Sequence, residues 1–97
     1  MQVVIRKYSG TGAAKLFDVL EKNVADVQTI MRPIPGFVSF TLARSADGGF
    51  SVTVCQDKAG IEQSMHKAKD WIAKNAPNTG ASAPEVSFGD VIVHVKQ

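Results

Sequence analysis

The side chains best suited to acid–base, nucleophilic or metal chemistry are few and widely separated in this sequence. They are one cysteine, Cys55, and two histidines, His66 and His94. Metal sites usually contain closely spaced ligand pairs such as Cys-x-x-Cys or His-x-x-x-His, and the sequence has none, so it predicts no metal site. Cys55 is interpreted as a small buried residue; the alternatives are a thiol activated by a positive neighbour and a side chain that contacts a bound ligand.

The two histidines have different predicted surroundings. His66 lies on the second predicted helix, about 130° from the centre of that helix's apolar stripe at 100° per residue, so it is interpreted as an exposed histidine rather than a catalytic base. His94 belongs to the last predicted strand with Ile92 and Lys96, and it is interpreted as a structural histidine.

A second set of side chains could bind a small molecule rather than react with it. Trp71 and Phe17 lie on separate predicted helices and could together line a pocket for an aromatic ligand; the alternative is that Trp71 only closes the edge of the core. Arg6 and Tyr8 share one face of the first predicted strand with Val4, where they could bind a phenolate or a carboxylate. Packing at an interface and a surface salt bridge explain these two residues equally well.

The elements that must position these residues follow from hydrophobic periodicity. Thr11 and Asp57 are predicted N-caps, and prolines beyond each helix predict its end. Asp47-Gly48-Gly49 between two alternating runs predicts a hairpin. The predicted strands are Gln2–Tyr8, Phe37–Arg44, Phe50–Cys55 and Glu85–Lys96, and the predicted helices are Ala13–Met31 and a helix from Asp57 to Asn75.

This order of elements predicts an α+β fold of the ferredoxin-like βαββαβ type, with an antiparallel sheet and two helices on one face, in one domain over residues 1–97. Val4, Tyr8, Phe37 and Ile92 are assigned to the opposite, open face. Such a surface is too apolar to remain in water. The sequence therefore predicts a homodimer in which two open sheet faces pack together.

Composition excludes several classes of protein. The 97 residues are 44% hydrophobic and 21% charged, which is typical of a globular domain. A net charge of +2 without clustered basic residues argues against nucleic acid as a partner. With no apolar run of about 18 residues, no membrane association is expected. The single cysteine and the lack of a signal sequence predict a cytoplasmic protein.

Two segments carry a resemblance to a known family. The run Ile34-Pro35-Gly36-Phe37-Val38-Ser39-Phe40 and, after the hairpin, the run from Val52 to Ser64 resemble the antibiotic biosynthesis monooxygenase-like family of dimeric α/β barrels. The resemblance covers most of the chain in layout. It implies a homodimer, no cofactor, and a pocket between sheet and helices for an aromatic or quinone-like molecule.

The resemblance also implies positions for functional side chains. Enzymes of this family carry a tryptophan at the end of the third strand and a histidine on the second helix, and this sequence has Cys55 and Ser64 at those places. Three interpretations follow. The first is a cofactor-free monooxygenase in which Trp71 and Ser64 contact the substrate, with His66 as a further candidate. The second is a ligand-binding or stress-associated dimer without catalysis. The third is a haem-binding or haem-degrading protein with His66 or His94 as axial ligand.

Overall fold

The computed structural model describes all 97 residues and contains four strands and three helices. The strands form one antiparallel sheet in the order β2-β3-β1-β4, with the helices packed on one face. This arrangement is ferredoxin-like and confirms the predicted α+β class. None of the helices combines the length and hydrophobicity needed to cross a membrane. The elements are β1 Gln2–Ser9, α1 Ala13–Lys22, α2 Val24–Met31, β2 Phe37–Ser45, β3 Gly48–Cys55, α3 Lys58–Asn75 and β4 Glu85–Asp90.

The hairpin between β2 and β3 confirms the turn predicted from the sequence. The ladder closes at the pair Ser45↔Gly48, which leaves Ala46 and Asp47 as the turn. The next position, Gly49, requires glycine because a Cβ atom there would collide with the ring of Phe17. The hairpin thus brings a buried aromatic ring of α1 directly onto the backbone of β3.

The long helix predicted over Ala13–Met31 is interrupted. Asn23 adopts φ −128° and ψ 31°, outside the helical region, and separates α1 from α2. Its side-chain nitrogen donates to the Val19 carbonyl at 2.8 Å and its backbone N–H donates to Leu20, so the end of α1 is satisfied locally. Asparagine side chains compete for backbone acceptors in this way. The break could not be predicted from the sequence, because the apolar stripe continues on both sides of Asn23.

The two predicted N-caps have different outcomes. Asp57 caps α3 as predicted, accepting a hydrogen bond from the Gly60 backbone N–H at 3.1 Å. Thr11 does not cap α1, because the N-cap is Gly12 in the left-handed region at φ 85°. A Cβ atom at Gly12 would collide with the backbone of residues 79–81, so the start of α1 supports the loop that follows α3.

The assignment of strand faces in β1 and β2 is corrected by the structure. Val4, Arg6 and Tyr8 point toward the helices and are buried, while Ile5 on the opposite face is 40% exposed. Phe37 also packs against the helix-side core. The error has a physical origin: β1 has apolar residues on both faces, so its alternation cannot say which face meets the helices.

The open face of the sheet therefore carries a different set of residues, with an apolar centre and polar or charged neighbours that include Lys7, Thr41 and Glu85. The register pairs Ile5 with Val52 and Val3 with Val54, and places them on the side away from the helices. On β3 the helix-side residues are Ser51, Thr53 and Cys55, so the outward face of this central strand is the more apolar one. The apolar outward set is Val3, Ile5, Phe50, Val52 and Val54.

The last strand is shorter than predicted. β4 ends at Asp90, whereas the alternation of apolar residues continues to Lys96. β4 pairs only with β1, and its residue Asp90 lies opposite Gln2, so the partner strand ends there. After a final hydrogen bond from Val91 to Met1, the chain has no strand to pair with. Ile92, placed on the open face by the sequence, is instead 98% exposed in this tail.

Candidate functional site

A cleft of about 860 Å³ opens beside the sheet and is the main candidate site. It lies between one face of α3, the helix-side residues of β1 and β4, and the loop from Ala76 to Pro84. About half of the lining residues are hydrophobic. Its volume is within the range of roughly 300 to 1,000 Å³ that is typical of sites for small molecules.

Arg6 is the most unusual residue in the lining of this cleft. It is 7% exposed, and its guanidinium donates one hydrogen bond, from Nε to the Ser51 hydroxyl at 3.3 Å. Burial lowers the pKa of Arg6, and the neighbouring Tyr8 opposes that shift. Even so, an arginine keeps its charge in proteins. The cleft is therefore lined by the cationic guanidinium of Arg6, which has no carboxylate partner.

Tyr8 lies beside Arg6 on the same face of β1. Its ring is 8% exposed and meets Phe17 edge-to-face, with 6.1 Å between ring centroids and 65° between planes. Burial raises the pKa of the Tyr8 phenol, and the charge of Arg6 lowers it in part. The phenol is therefore protonated at neutral pH and can donate a hydrogen bond.

Trp71 lies deeper than the cleft. It is 8% exposed and lines a second, much smaller cavity of about 20 Å³ in the core, together with Arg6 and Tyr8. That volume accommodates about one water molecule. Trp71 therefore lines the small cavity with two residues that also line the cleft, but it does not line the cleft itself.

The outer part of the cleft contains residues that sequence reasoning assigned elsewhere or missed. His66 is exposed, as predicted, yet it lines the cleft from α3 with Glu62 and Lys69. Val86 and Phe88 complete the lining from β4, where Phe88 is 65% exposed. Their i, i+2 spacing in the last strand was the available signal, but it gives no information about which face meets α3.

Three other candidates from the sequence line neither cavity. Ser64 is 2% exposed and its hydroxyl donates to the Ile61 carbonyl at 2.7 Å, inside α3. Phe17 is a core residue that packs on Tyr8. Cys55 is fully buried, and burial together with Asp57 raises the pKa of its thiol, so it remains protonated. The structure thus brings Arg6, Tyr8 and His66 to the cleft. It contains no group of three His, Cys, Asp or Glu side chains able to hold a metal ion.

The titration of Tyr8 provides a direct test of this geometry. Tyr8 is the single tyrosine, so phenolate absorbance reports on it alone. We expect a midpoint above the ordinary value of 10.0, and a further rise in Arg6→Met because the guanidinium charge is lost. Since the folded state holds this proton more tightly than the unfolded chain, the free energy of unfolding should fall as pH rises above about 10.

The control for this titration is Lys15→Met, which removes an equal charge from the exposed surface of α1. It should leave the midpoint unchanged. A wild-type midpoint at or below 10.0, or a fall in Arg6→Met, would contradict the placement of the two side chains.

Comparison with solved structures finds the same fold in proteins of low sequence identity. Haem-degrading MhuD of Mycobacterium tuberculosis, with two haems in its active site, has a TM-score of 0.69 at 21% identity over 99% of this chain and 100% of that one. A mutant of MhuD with manganese protoporphyrin IX has a TM-score of 0.73 at 22% identity, with both chains fully covered.

Oxygenases are among the similar structures as well. SnoaB of Streptomyces nogalater, a cofactor-independent oxygenase, has a TM-score of 0.61 at 16% identity, over 99% of this chain and 96% of that one. A Deinococcus radiodurans protein assigned as an antibiotic biosynthesis monooxygenase has a TM-score of 0.65 at 10% identity, over 100% and 98%. No family model matches the sequence, and no curated protein matches it significantly.

Proposed function

We propose, from the fold that this chain shares with antibiotic biosynthesis monooxygenase-like proteins, that the cleft binds a planar aromatic or quinone-like molecule. The observation that carries the proposal is a cleft of about 860 Å³ whose lining is about half hydrophobic, with polar and charged side chains making up part of the rest. Phe88 at β4 offers an exposed ring on which a planar ligand can stack. Sites of this composition bind molecules through apolar contact and use the polar groups for orientation.

Catalysis is the finer part of the proposal. A dihydro-aromatic substrate would react with oxygen so that a CH₂ group becomes C=O, one oxygen atom enters the product and the other leaves as water. The protein would exclude water and orient the substrate. His66 carries the imidazole in the cleft lining and is the candidate general base. The alternative is a protein that binds the same kind of molecule without turnover. Ser64 favours this alternative, because its buried hydroxyl donates to the Ile61 carbonyl and does not line the cleft.

The test is oxygen uptake with a panel of anthrones, which carry the CH₂ group that the proposed step oxidises, combined with native mass spectrometry of the purified protein. We expect uptake above the buffer rate, and its loss in Ala73→Trp, which fills the cleft from α3. Ala14→Trp, an equal change on the exposed surface of α1, is the matched control. Binding of a ligand without oxygen uptake would contradict the catalytic interpretation and support the ligand-binding one. Absence of both would contradict the proposal.

A haem-type porphyrin is the second candidate, because MhuD structures with the same fold hold haem or manganese protoporphyrin IX. His66 in the cleft lining is the available axial donor, and Arg6 and Lys69 could contact the propionates. His94 lies in the tail after β4 and lines neither cavity. Titration with haem separates the two candidates: a Soret shift lost in His66→Ala selects the porphyrin, and a shift that survives both His66→Ala and His94→Ala excludes histidine ligation.

We further propose that two chains form a homodimer through the open face of the sheet. The support is the inverted polarity of β3, whose outward residues are Phe50, Val52 and Val54 while small polar residues face the helices. A strand face of this kind is normally covered, since apolar surface exposed to water is costly. The exposed apolar residues of the tail after β4, Ile92, Val93 and Val95, add to the surface available for a second chain.

A further inference from the structure

One positive charge in the cleft has no negative partner. Arg6 is 93% buried, and its single hydrogen bond within the chain goes to the neutral hydroxyl of Ser51. The two salt bridges of the protein both belong to Arg44, which pairs with Asp18 and Glu21. Buried charges in proteins are normally paired, because a charge removed from water loses its solvation. Arg6 therefore has a requirement for an anion that the chain itself does not meet.

The hydrogen-bonding groups around this charge are also free. Every fully enclosed side-chain nitrogen and oxygen in the protein has a partner, whereas the terminal nitrogens of Arg6 and the Tyr8 hydroxyl bond no protein group. These atoms therefore border open space, and both residues line the cleft as well as the small core cavity. Residues i and i+2 of a strand point to the same side, so the two donors are neighbours.

We propose that the ligand of the cleft carries a carboxylate, which binds Arg6 and Tyr8 while its aromatic body occupies the apolar part. This inference rests on the proposed function and specifies its substrate class. A guanidinium matches a carboxylate with two parallel hydrogen bonds, and a protonated phenol supplies a third donor. The reacting or stacking part of the ligand would then extend toward His66 and Phe88, at the outer part of the cleft.

The charge of the whole cleft favours a monoanion. Arg6 and Lys69 are positive and Glu62 is negative, which leaves a net charge of +1 when His66 is neutral. A carboxylate neutralises this charge, whereas a phosphate monoester with about two negative charges would exceed it and meet Glu62. The apolar majority of the lining likewise fits an aromatic acid better than an inorganic anion.

A matched pair of fluorescent probes tests the proposal: pyrenebutyrate, which carries the acid, and pyrenebutanol, which replaces it with a neutral hydroxyl. In wild type we expect the acid to bind at least about tenfold more tightly than the alcohol. Arg6→Met should abolish that preference and leave the affinity for the alcohol within about twofold. Arg6→Lys, which keeps the charge and loses the planar donors, should retain part of the preference.

The control is Lys15→Met, which removes a positive charge from the exposed surface of α1 and should keep the wild-type preference. Circular dichroism checks that each variant is folded. Tyr8→Phe provides a second readout, because it should lower the affinity for the acid severalfold and leave the affinity for the alcohol unchanged. If wild type binds both probes equally, or if Arg6→Met and Tyr8→Phe retain the preference, the inferred carboxylate is wrong. The proposal that the cleft binds an aromatic molecule is then unaffected. If neither probe binds, the proposed function fails, and this inference with it.

Discussion

Replacing Phe17 with alanine is expected to lower the free energy of unfolding by about 3 to 5 kcal/mol. Phe17 is 1% exposed, belongs to the same buried cluster as Tyr8, Leu16 and Trp71, and contacts the backbone of β3 at Gly49. Its removal leaves a cavity that the surrounding sheet and helices cannot close. Because domains of this size are stabilised by only about 5 to 15 kcal/mol, the loss is a large part of the total.

Urea denaturation followed by Trp71 fluorescence measures this effect, since Trp71 belongs to the same cluster. Phe88→Ala is the matched control, because Phe88 is the same residue type but 65% exposed, and its removal should change stability by about 0.5 kcal/mol or less. Equal losses in the two variants would contradict the core described above. Phe17→Ala should also weaken ligand binding, because Phe17 fixes the orientation of the Tyr8 ring.

Local signals in the sequence were sufficient for most of the fold. The hairpin of β2 and β3 follows from Asp47, Gly48 and Gly49 between two alternating runs, and the start of α3 follows from the carboxylate of Asp57. Both features are decided by residues close together in the chain. For the same reason the order of elements, and with it the ferredoxin-like class, could be predicted without knowledge of any long-range contact.

Most of the errors concern properties that distant contacts decide, and the break at Asn23 is the exception. β4 ends where β1 has no further residue to pair with, which the alternation of Ile92 and its neighbours does not reveal. The break at Asn23 depends on local competition for the Val19 carbonyl within an unbroken apolar stripe. The faces of β1 depend on what lies opposite them, and there Arg6 is directed inward beside Ser51.

The candidate site was predicted in part for the same reason. Arg6 and Tyr8 were identified as a pair because their spacing places them on one face, whichever face it is. The outer wall was missed, because it forms only when α3, β4 and the loop after α3 come together. Gly12 illustrates the point: its contact with residues 79–81 joins segments that are far apart in the sequence.

The substitution Val52→Asp is expected to raise the dissociation constant of the proposed homodimer at least about 100-fold. Val52 is central on the open face of the sheet, between Ile5 on β1 and Thr41 on β2. A two-fold interface contains each residue twice, so one substitution introduces two uncompensated charges. The isolated chain should tolerate the change, because Val52 is only partly buried in it.

Sedimentation velocity over a range of micromolar concentrations measures this dissociation. Val52→Thr, which keeps the shape of the side chain, should weaken the dimer far less, and Gln63→Glu, which adds a negative charge on the exposed surface of α3, should not change it. A wild-type chain that remains monomeric at these concentrations contradicts the dimer itself. A dimer unaffected by Val52→Asp would instead mean that the chains associate through another surface, and the apolar outward face of β3 would have no explanation.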